Sequence, residues 1–364
     1  VRRVLILAPK ILLPQWCDEL TTKFGIQAEY GTGELLSTLA RSETPVVVTT
    51  YASARNRMKR LAESGFDMLI LDEAHKVRNL YGTQQPPQIA TVLRQAMAVG
   101  AFRFSLLLTA TPIHNRLWDI YSLIDLLAAG RNHENPLGGV QAFADRYLAD
   151  GKTIARRLVP SRIPEFRRIV GDYMVRTSRA ESGLTFPDRV VSPRLCKPGE
   201  VERAMEDLVR EHLPRLNRLQ QISLAEALMS SPRALAQQLA NAAAKGSVPR
   251  EAVRIADDLA QESPLGCKAA HLVAIARQLQ QERPKDWRMV VFTRRIATQG
   301  ALGELLESMG AKVGYIGGKH AGSQDLSVRE FQANPPTVNV IVSTDAGAEG
   351  VNLQAGNVVI NYDL

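Results

Sequence analysis

The chain has 364 residues, 45% of them hydrophobic and 23% charged, enough for two or three domains of roughly 150 residues each. That composition excludes a disordered chain, and three cysteines far apart, with six histidines at no close spacing, argue against a disulfide framework or a zinc site. A formal net charge of +8 suits a polyanionic partner, because lysines and arginines that neutralise phosphates release counterions. No apolar run approaches the ~18 residues of a membrane-spanning helix, so the expected setting is cytoplasmic, with no membrane partner.

In chain order, unbroken apolar runs at Val4–Ala8, Val46–Val48, Met68–Leu71 and Ser105–Leu108 predict four buried strands. Helix-length segments separate them, which is the βαβ pattern of a parallel sheet covered on both faces. From about Ile113 to Leu265 the strand signals stop and helical spacing takes over, as at Met205, Leu208, Val209 and Leu213. Pro214 interrupts that helix, Ser231-Pro232 predicts a capped helix start, and Gly246 to Pro249 marks a break. Four further strands are expected at Met289–Phe292, Val313–Ile316, Val338–Val342 and Val358–Ile360. The fold class is therefore α/β, with two parallel-sheet lobes separated by a largely helical insertion and linker. Residues 1–190 make the first lobe with its insertion from about 113, residues 191–264 a helical linker region, and residues 265–364 the second lobe.

Ligands of open parallel sheets bind beyond the carboxyl ends of the strands, so the residues following each run are the candidates for chemistry. Lys10 follows the first run, Thr49 and Thr50 the second, Asp72, Glu73 and His75 the third, and Thr109, Ala110 and Thr111 the fourth. An aspartate at a buried strand tip can hold Mg²⁺ on nucleotide phosphates while the adjacent carboxylate deprotonates water. The bland alternative is an acidic pair opening a helix. Thr109 and Thr111 could hydrogen-bond those carboxylates or simply cap the next helix. In the second lobe Thr293 and Arg294 follow one run and Thr344 ends another. There Gly347 and Gly350 could admit a ligand to the backbone and Asp345 could accept from a ribose hydroxyl. Gly31-Thr32-Gly33 and Gly317-Gly318-Lys319 imitate phosphate loops without the G-x-x-x-x-G-K-[ST] spacing. In the insertion Lys152, Arg156, Arg157, Arg162, Arg167, Arg168, Arg176 and Arg179 face only Glu165 and Asp172, which reads as a phosphate-tracking surface or a solvated helical face. No aromatic residues are interleaved to stack unpaired bases, which favours a double-stranded substrate.

Together these stretches resemble the Swi/Snf-type ATPases of helicase superfamily two, in order over nearly the whole chain. VLILAPKILLPQW is similar to motif Ia, VVVTTYASA to Ib, LILDEAHKVRN to II, and SLLLTATPIHNRLWDIYSLIDLL to III with the family's extension. YMVRTSRAESGLTFPDRVV resembles the exit from lobe one, MVVFTR motif IV, and VIVSTDAGAEGVNLQAGNVVINYDL motif V with the next strand. The resemblance implies two RecA-like lobes that hydrolyse ATP with Mg²⁺ between them to move along double-stranded DNA, RNA being the other candidate. It implies Asp72 for the metal, Glu73 for activating water, His75 for coupling to the other lobe, and Thr109 and Thr111 for linking hydrolysis to movement. It puts Lys10, Thr49, Thr50, Thr293, Arg294 and Thr344 near the nucleic-acid backbone and Asp345 near the ribose. Asp345 and Glu349 are similar to bacterial members rather than eukaryotic remodellers, which implies a nucleoid setting, with RNA polymerase or defence-system subunits as candidate partners. The rival readings are a strand-separating DNA or RNA helicase and a non-catalytic nucleic-acid or polymerase-binding scaffold; paired acids at a strand tip argue against the scaffold.

The family's phosphate-loop lysine lies ahead of motif Ia and its arginine-bearing motif VI beyond the last strand, so the chain is expected to be a fragment from motif Ia to just after motif V. Phosphoryl transfer rests on those groups, and loss of an arginine finger alone costs about 10³-fold or more. Val1–Leu364, purified as written, is therefore expected to aggregate more readily than the complete motor, through unpaired strand edges, and to show no DNA-stimulated ATP hydrolysis above background. Turnover by a clean preparation, abolished by Glu73→Gln, would contradict this.

Overall fold

Alternate side chains of a strand leave on opposite faces, so an unbroken apolar strand requires a packed layer on each side. The computed structural model describes residues 1–177, 181, 183, 190–318, 324–344 and 351–363. They form two units, Val1–Pro187 and Asp188–Leu364, each built on an all-parallel sheet.

The first unit runs β1 (Val4–Ala8), α1 (Leu13–Phe24), β2 (Ala28–Tyr30), α2 (Gly33–Leu39), β3 (Val46–Thr50), α3 (Tyr51–Ala62), β4 (Met68–Asp72), α4 (Gln88–Ala98) and β5 (Phe104–Leu108), with strand order β2-β3-β1-β4-β5. Leu5 and Leu7 of β1 join Val47, Leu69 and Leu71 in a core against Leu36, Met58 and Leu93 of α2, α3 and α4. Ile6 and Ala8 leave on the other face, with Val46 and Val48, against Leu13 and Cys17 of α1. Gly25 ends α1 in the left-handed conformation (φ 64°) and returns its N–H to Leu20 and Thr21, a turn that glycine makes without steric cost.

Two expectations are corrected here. The sheet has a fifth strand, β2, whose Ala28-Glu29-Tyr30 lacks an apolar run; its register against Val46–Val48 of β3 makes it a strand. The edge strand β5 is covered on one face only, leaving Phe104 and Leu106 each 42% exposed.

The insertion follows as α5 (Trp118–Gly130), α6 (Val140–Tyr147), α7 (Gly151–Ile154) and α8 (Ile163–Gly171). Its core is aromatic: Trp118 meets Tyr121 edge-on at 5.4 Å between centroids, and Phe143, Tyr147 and Phe166 extend the cluster. Gly82 (φ 70°) lies against it, where an added Cβ would stand 2.3 Å from the Trp118 ring.

The second unit begins with α9 (Glu200–His212), α10 (Arg218–Ser230), α11 (Pro232–Ala244), α12 (Arg250–Glu262) and α13 (Lys268–Glu282). The first four share a core of Val201, Met205, Leu224, Leu235, Leu239 and Ala256, so residues 200–262 pack as a bundle. The sheet follows as β6 (Met289–Thr293), α14 (Ile296–Ser308), β7 (Val313–Ile316), α15 (Gln324–Gln332), β8 (Val340–Thr344) and β9 (Val358–Asn361), with strand order β7-β8-β6-β9. Met289 and Val291 face the α13 and α14 side while Val290 and Ile341 face Phe331 of α15. β8 starts two residues later than Val338, because the N–H groups of Asn339 and Val340 first turn onto the Lys312 carbonyl. β9, like β5, is covered on one face, with Val359 60% exposed. No helix among the described residues is long and apolar enough to cross a membrane.

Ser231 caps α11: its Oγ accepts from the Ala234 N–H at 3.1 Å and lies 2.8 Å from Thr298 Oγ1. Ser231→Ala should lower stability by about 1 kcal/mol, the usual effect of losing such a cap, measurable by urea unfolding. A change within ~0.3 kcal/mol would show that this cap contributes little to stability.

Candidate functional site

The parallel registers Ala8↔Thr50 and Asp72↔Leu108 bring the carboxyl ends of β1, β3, β4 and β5 to one edge of the first sheet. At the tip of β4 the half-buried Asp72 carboxylate is held by two donors. Trp16 Nε1, from α1, donates to Oδ2 at 2.8 Å, and the Glu73 N–H donates to Oδ1 at 3.0 Å. The Tyr51 hydroxyl donates to the Asp72 carbonyl at 2.6 Å, which fixes the backbone of the tip. Burial pushes that phenol far above its ordinary value, with the charges of Asp72 and Glu73 adding to the effect, so it stays a donor.

Glu73 adopts the left-handed conformation (φ 53°, ψ 50°), sparsely populated by a residue with a side chain, and the chain turns there out of the strand. Its Oε2 lies 3.0 Å from His75 Nδ1. That nitrogen has no hydrogen-bond partner among the described residues.

No group of three or more His, Cys, Asp or Glu that could hold a metal occurs among the described residues. Mg²⁺ commonly rests on one or two carboxylates plus substrate phosphates and water. Asp72, whose oxygens each keep a spare lone pair, fits that mode rather than a protein-only cage.

The neighbours of this tip are arranged differently from expectation. Thr109 Oγ1 accepts from the Thr111 N–H at 3.2 Å, and no hydrogen bond among the described residues joins either threonine to Asp72 or Glu73. Ala110 and Thr111 are exposed. Asp119 instead organises the loop beyond them: its Oδ2 accepts from the N–H groups of His114, Asn115 and Arg116 at 2.9, 3.0 and 3.3 Å. Thr49 is fully buried and donates to the Gly31 carbonyl at 2.7 Å, so its hydroxyl is not presented to a ligand. Thr50 caps α3 by accepting from the Ser53 N–H, and Lys10 is exposed.

In the insertion Arg156, Arg157, Arg167 and Arg168 are all exposed. Glu165 is taken by Arg146 and Arg162 at 2.5 and 3.3 Å, and Asp172 lies 3.8 Å from Arg168. Arg156, Arg157 and Arg167 have no salt-bridge partner among the described residues.

In the second unit Thr293 is buried and donates to Asp363 Oδ2 at 2.7 Å, an oxygen that also accepts from the Arg294 N–H at 2.7 Å and Ser230 Oγ at 3.0 Å. Thr344 is also buried. Arg294 is half-exposed, with its guanidinium 3.4 Å from Glu226. Asp345, Gly347, Gly350, Glu349 and Arg179 lie outside the described residues.

The sequence reading named Tyr51 among the residues after the second run but gave it no role, and it missed Trp16, Asp119, Glu226 and Asp363. Trp16 and Asp363 lie inside the motif-like stretches LPQW and INYDL, which could have marked them. Nothing in the sequence marks Glu226.

Residues 1–240 match the SNF2-related domain and residues 268–364 the Helicase conserved C-terminal domain. "Uncharacterized ATP-dependent helicase YqhH" of Bacillus subtilis (strain 168) is 26% identical over 377 residues, covering 100% of this chain and 61% of that protein. "Zorya protein ZorD" of Escherichia coli O139:H28 (strain E24377A / ETEC) is 25% identical over 347 residues, 91% of this chain and 29% of that protein. "Protein CHROMATIN REMODELING 24" of Arabidopsis thaliana is 23% identical over 418 residues, 100% of this chain and 37% of that protein. The chain thus spans less than two thirds of the length of these relatives. With a parallel sheet ending in Asp72-Glu73-Ala74-His75, a second parallel sheet behind it in sequence, and a family match over most of its length, the chain belongs to the SNF2-related family and carries the helicase conserved C-terminal domain after it.

Proposed function

We propose that this chain is the motor core of an ATP-dependent translocase acting on double-stranded DNA. The observation that carries the reading is the tip of β4, where Trp16, Tyr51 and the Glu73 N–H orient Asp72 and the next residue turns a second carboxylate out of the sheet. A carboxylate fixed by two donors costs little to reorganise when it binds. Asp72 would hold Mg²⁺, which when bound neutralises charge on the nucleotide phosphates. Glu73 would accept the proton of the attacking water, with His75 Nδ1 3.0 Å from its carboxylate. The exposed Arg156, Arg157, Arg167 and Arg168, with Lys10, Thr50 and Arg294, supply contacts to a phosphate backbone. Those contacts position a duplex without reading its sequence.

In an ATP-hydrolysing form of the protein, Glu73→Gln should leave ATP binding nearly intact and lower hydrolysis at least ~100-fold, the scale for loss of a general base. Asp72→Ala should weaken Mg²⁺-nucleotide binding instead. Hydrolysis within a few-fold of the parent would remove Glu73 from the role.

Replacing Arg156, Arg157, Arg167 and Arg168 together by alanine should weaken duplex binding equally for unrelated sequences and flatten its salt dependence. A salt slope equal to the parent's would assign these arginines to a solvated face.

A further inference from the structure

Cys17 is buried in the first unit, while Cys196 and Cys267 are both half-buried in the second. Cys196 lies on the irregular, mostly exposed stretch that leads from the first unit into α9, and Cys267 is the residue before α13. One carboxylate holds these two segments together. Glu202, in the first turn of α9, accepts the Gly199 N–H on Oε2 at 3.0 Å and the Cys267 N–H on Oε1. The approach is close at Gly266 as well, where an added Cβ would stand 2.3 Å from Glu202 Oε1. Beside this carboxylate the two thiols are in hydrogen-bond contact with each other, and both act electrostatically on Lys268 and Tyr362. Cys196 Sγ also lies 4.0 Å from the Arg194 carbonyl. The result is a pair of accessible sulfurs, far apart in sequence, that the fold presses together.

Two thiols in contact can bond by rotation about their side chains, with little backbone movement. We infer that Cys196 and Cys267 are a redox pair, which hydrogen peroxide closes into a disulfide and a reducing thiol reopens. Cys196 attacks first, because burial and the Glu202 carboxylate disfavour a thiolate at Cys267. The Cys196 sulfur takes one peroxide oxygen as the O–O bond breaks, giving a sulfenic acid, and the other oxygen leaves as water with the thiol's proton. The Cys267 sulfur then forms the S–S bond, and its proton leaves with the sulfenic hydroxyl as a second water. The two thiols lose two electrons and the peroxide gains them. The disulfide fixes the chain entering α9 to the start of α13, and so shortens the untethered part of the connection from the first unit.

The test is thiol counting and peptide mapping of the full chain after treatment with hydrogen peroxide. Thiols that alkylate after denaturation should fall from the three of the sequence to one, and dithiothreitol should restore all three. The map should show Cys196 and Cys267 in one linked pair of peptides, lighter by two hydrogens than the separate peptides. Oxidation should also slow trypsin at the exposed Arg194, since cleavage requires local opening of that segment. Cys267→Ser should strand Cys196 as a sulfenic acid captured by dimedone, whereas Cys196→Ser should leave Cys267 unlabelled. The count and the map use the unmodified chain, so they stand even where a variant fails to fold. Three remaining thiols, oxygen gained at Cys196 without a linked pair, or a disulfide between two copies of the chain would overturn the redox pair. Dimedone labelling of Cys267 in Cys196→Ser would overturn the order of attack, and trypsin cleavage at the same rate in both forms would overturn the tethering.

Discussion

Parallel pairing of β4 between β1 and β5 is the constraint on which the rest of the first unit depends. Because all three strands run the same way, every loop that leaves a carboxyl end leaves at one edge. Asp72 is the last residue of β4, so its position is set by the register that buries Leu69 and Leu71. A one-residue slip of β4 would turn those leucines out of the core and carry the carboxylate to the wrong face. The hydrophobic core thus holds the candidate site in place.

Polar side chains refine that position. Trp16 comes from α1 and Tyr51 from the start of α3, so the two helices flanking β1 and β3 each contribute one donor to the Asp72 residue. In the second unit the corresponding device is ionic, with Asp363, Lys268, Thr293 and Ser230 joining the end of β9, the end of β6 and the α10 C-terminus. Desolvation pulls the Lys268 ammonium below its ordinary value while Asp363 opposes the shift, as expected for a largely buried cation retained by its partner.

What the sequence made legible follows from the range of the interaction concerned. Apolar runs marked the buried strands because continuous burial is written locally, and Ser231-Pro232 marked a helix start for the same reason. The three-residue β2 was illegible because only its pairing with β3 makes it a strand. The carboxylate pair was legible as a candidate for chemistry, but the commitment of Thr49 to Gly31 and of Thr293 to Asp363 was not, since those partners lie 18 and 70 residues away. Cys196 and Cys267 read as unrelated, yet the fold makes them neighbours. Burial first, then hydrogen bonding to Glu202, pushes the Cys267 thiol up to about 12.

The central claim is that carboxylates fixed at the end of a parallel sheet drive ATP turnover in response to duplex DNA. It is tested most directly by the rate of ATP hydrolysis with equal lengths of duplex DNA, single-stranded DNA and RNA. The account predicts the largest stimulation by the duplex, falling as salt rises because phosphate contacts carry the binding. Stronger stimulation by single-stranded DNA or RNA, or none by any nucleic acid, would contradict it.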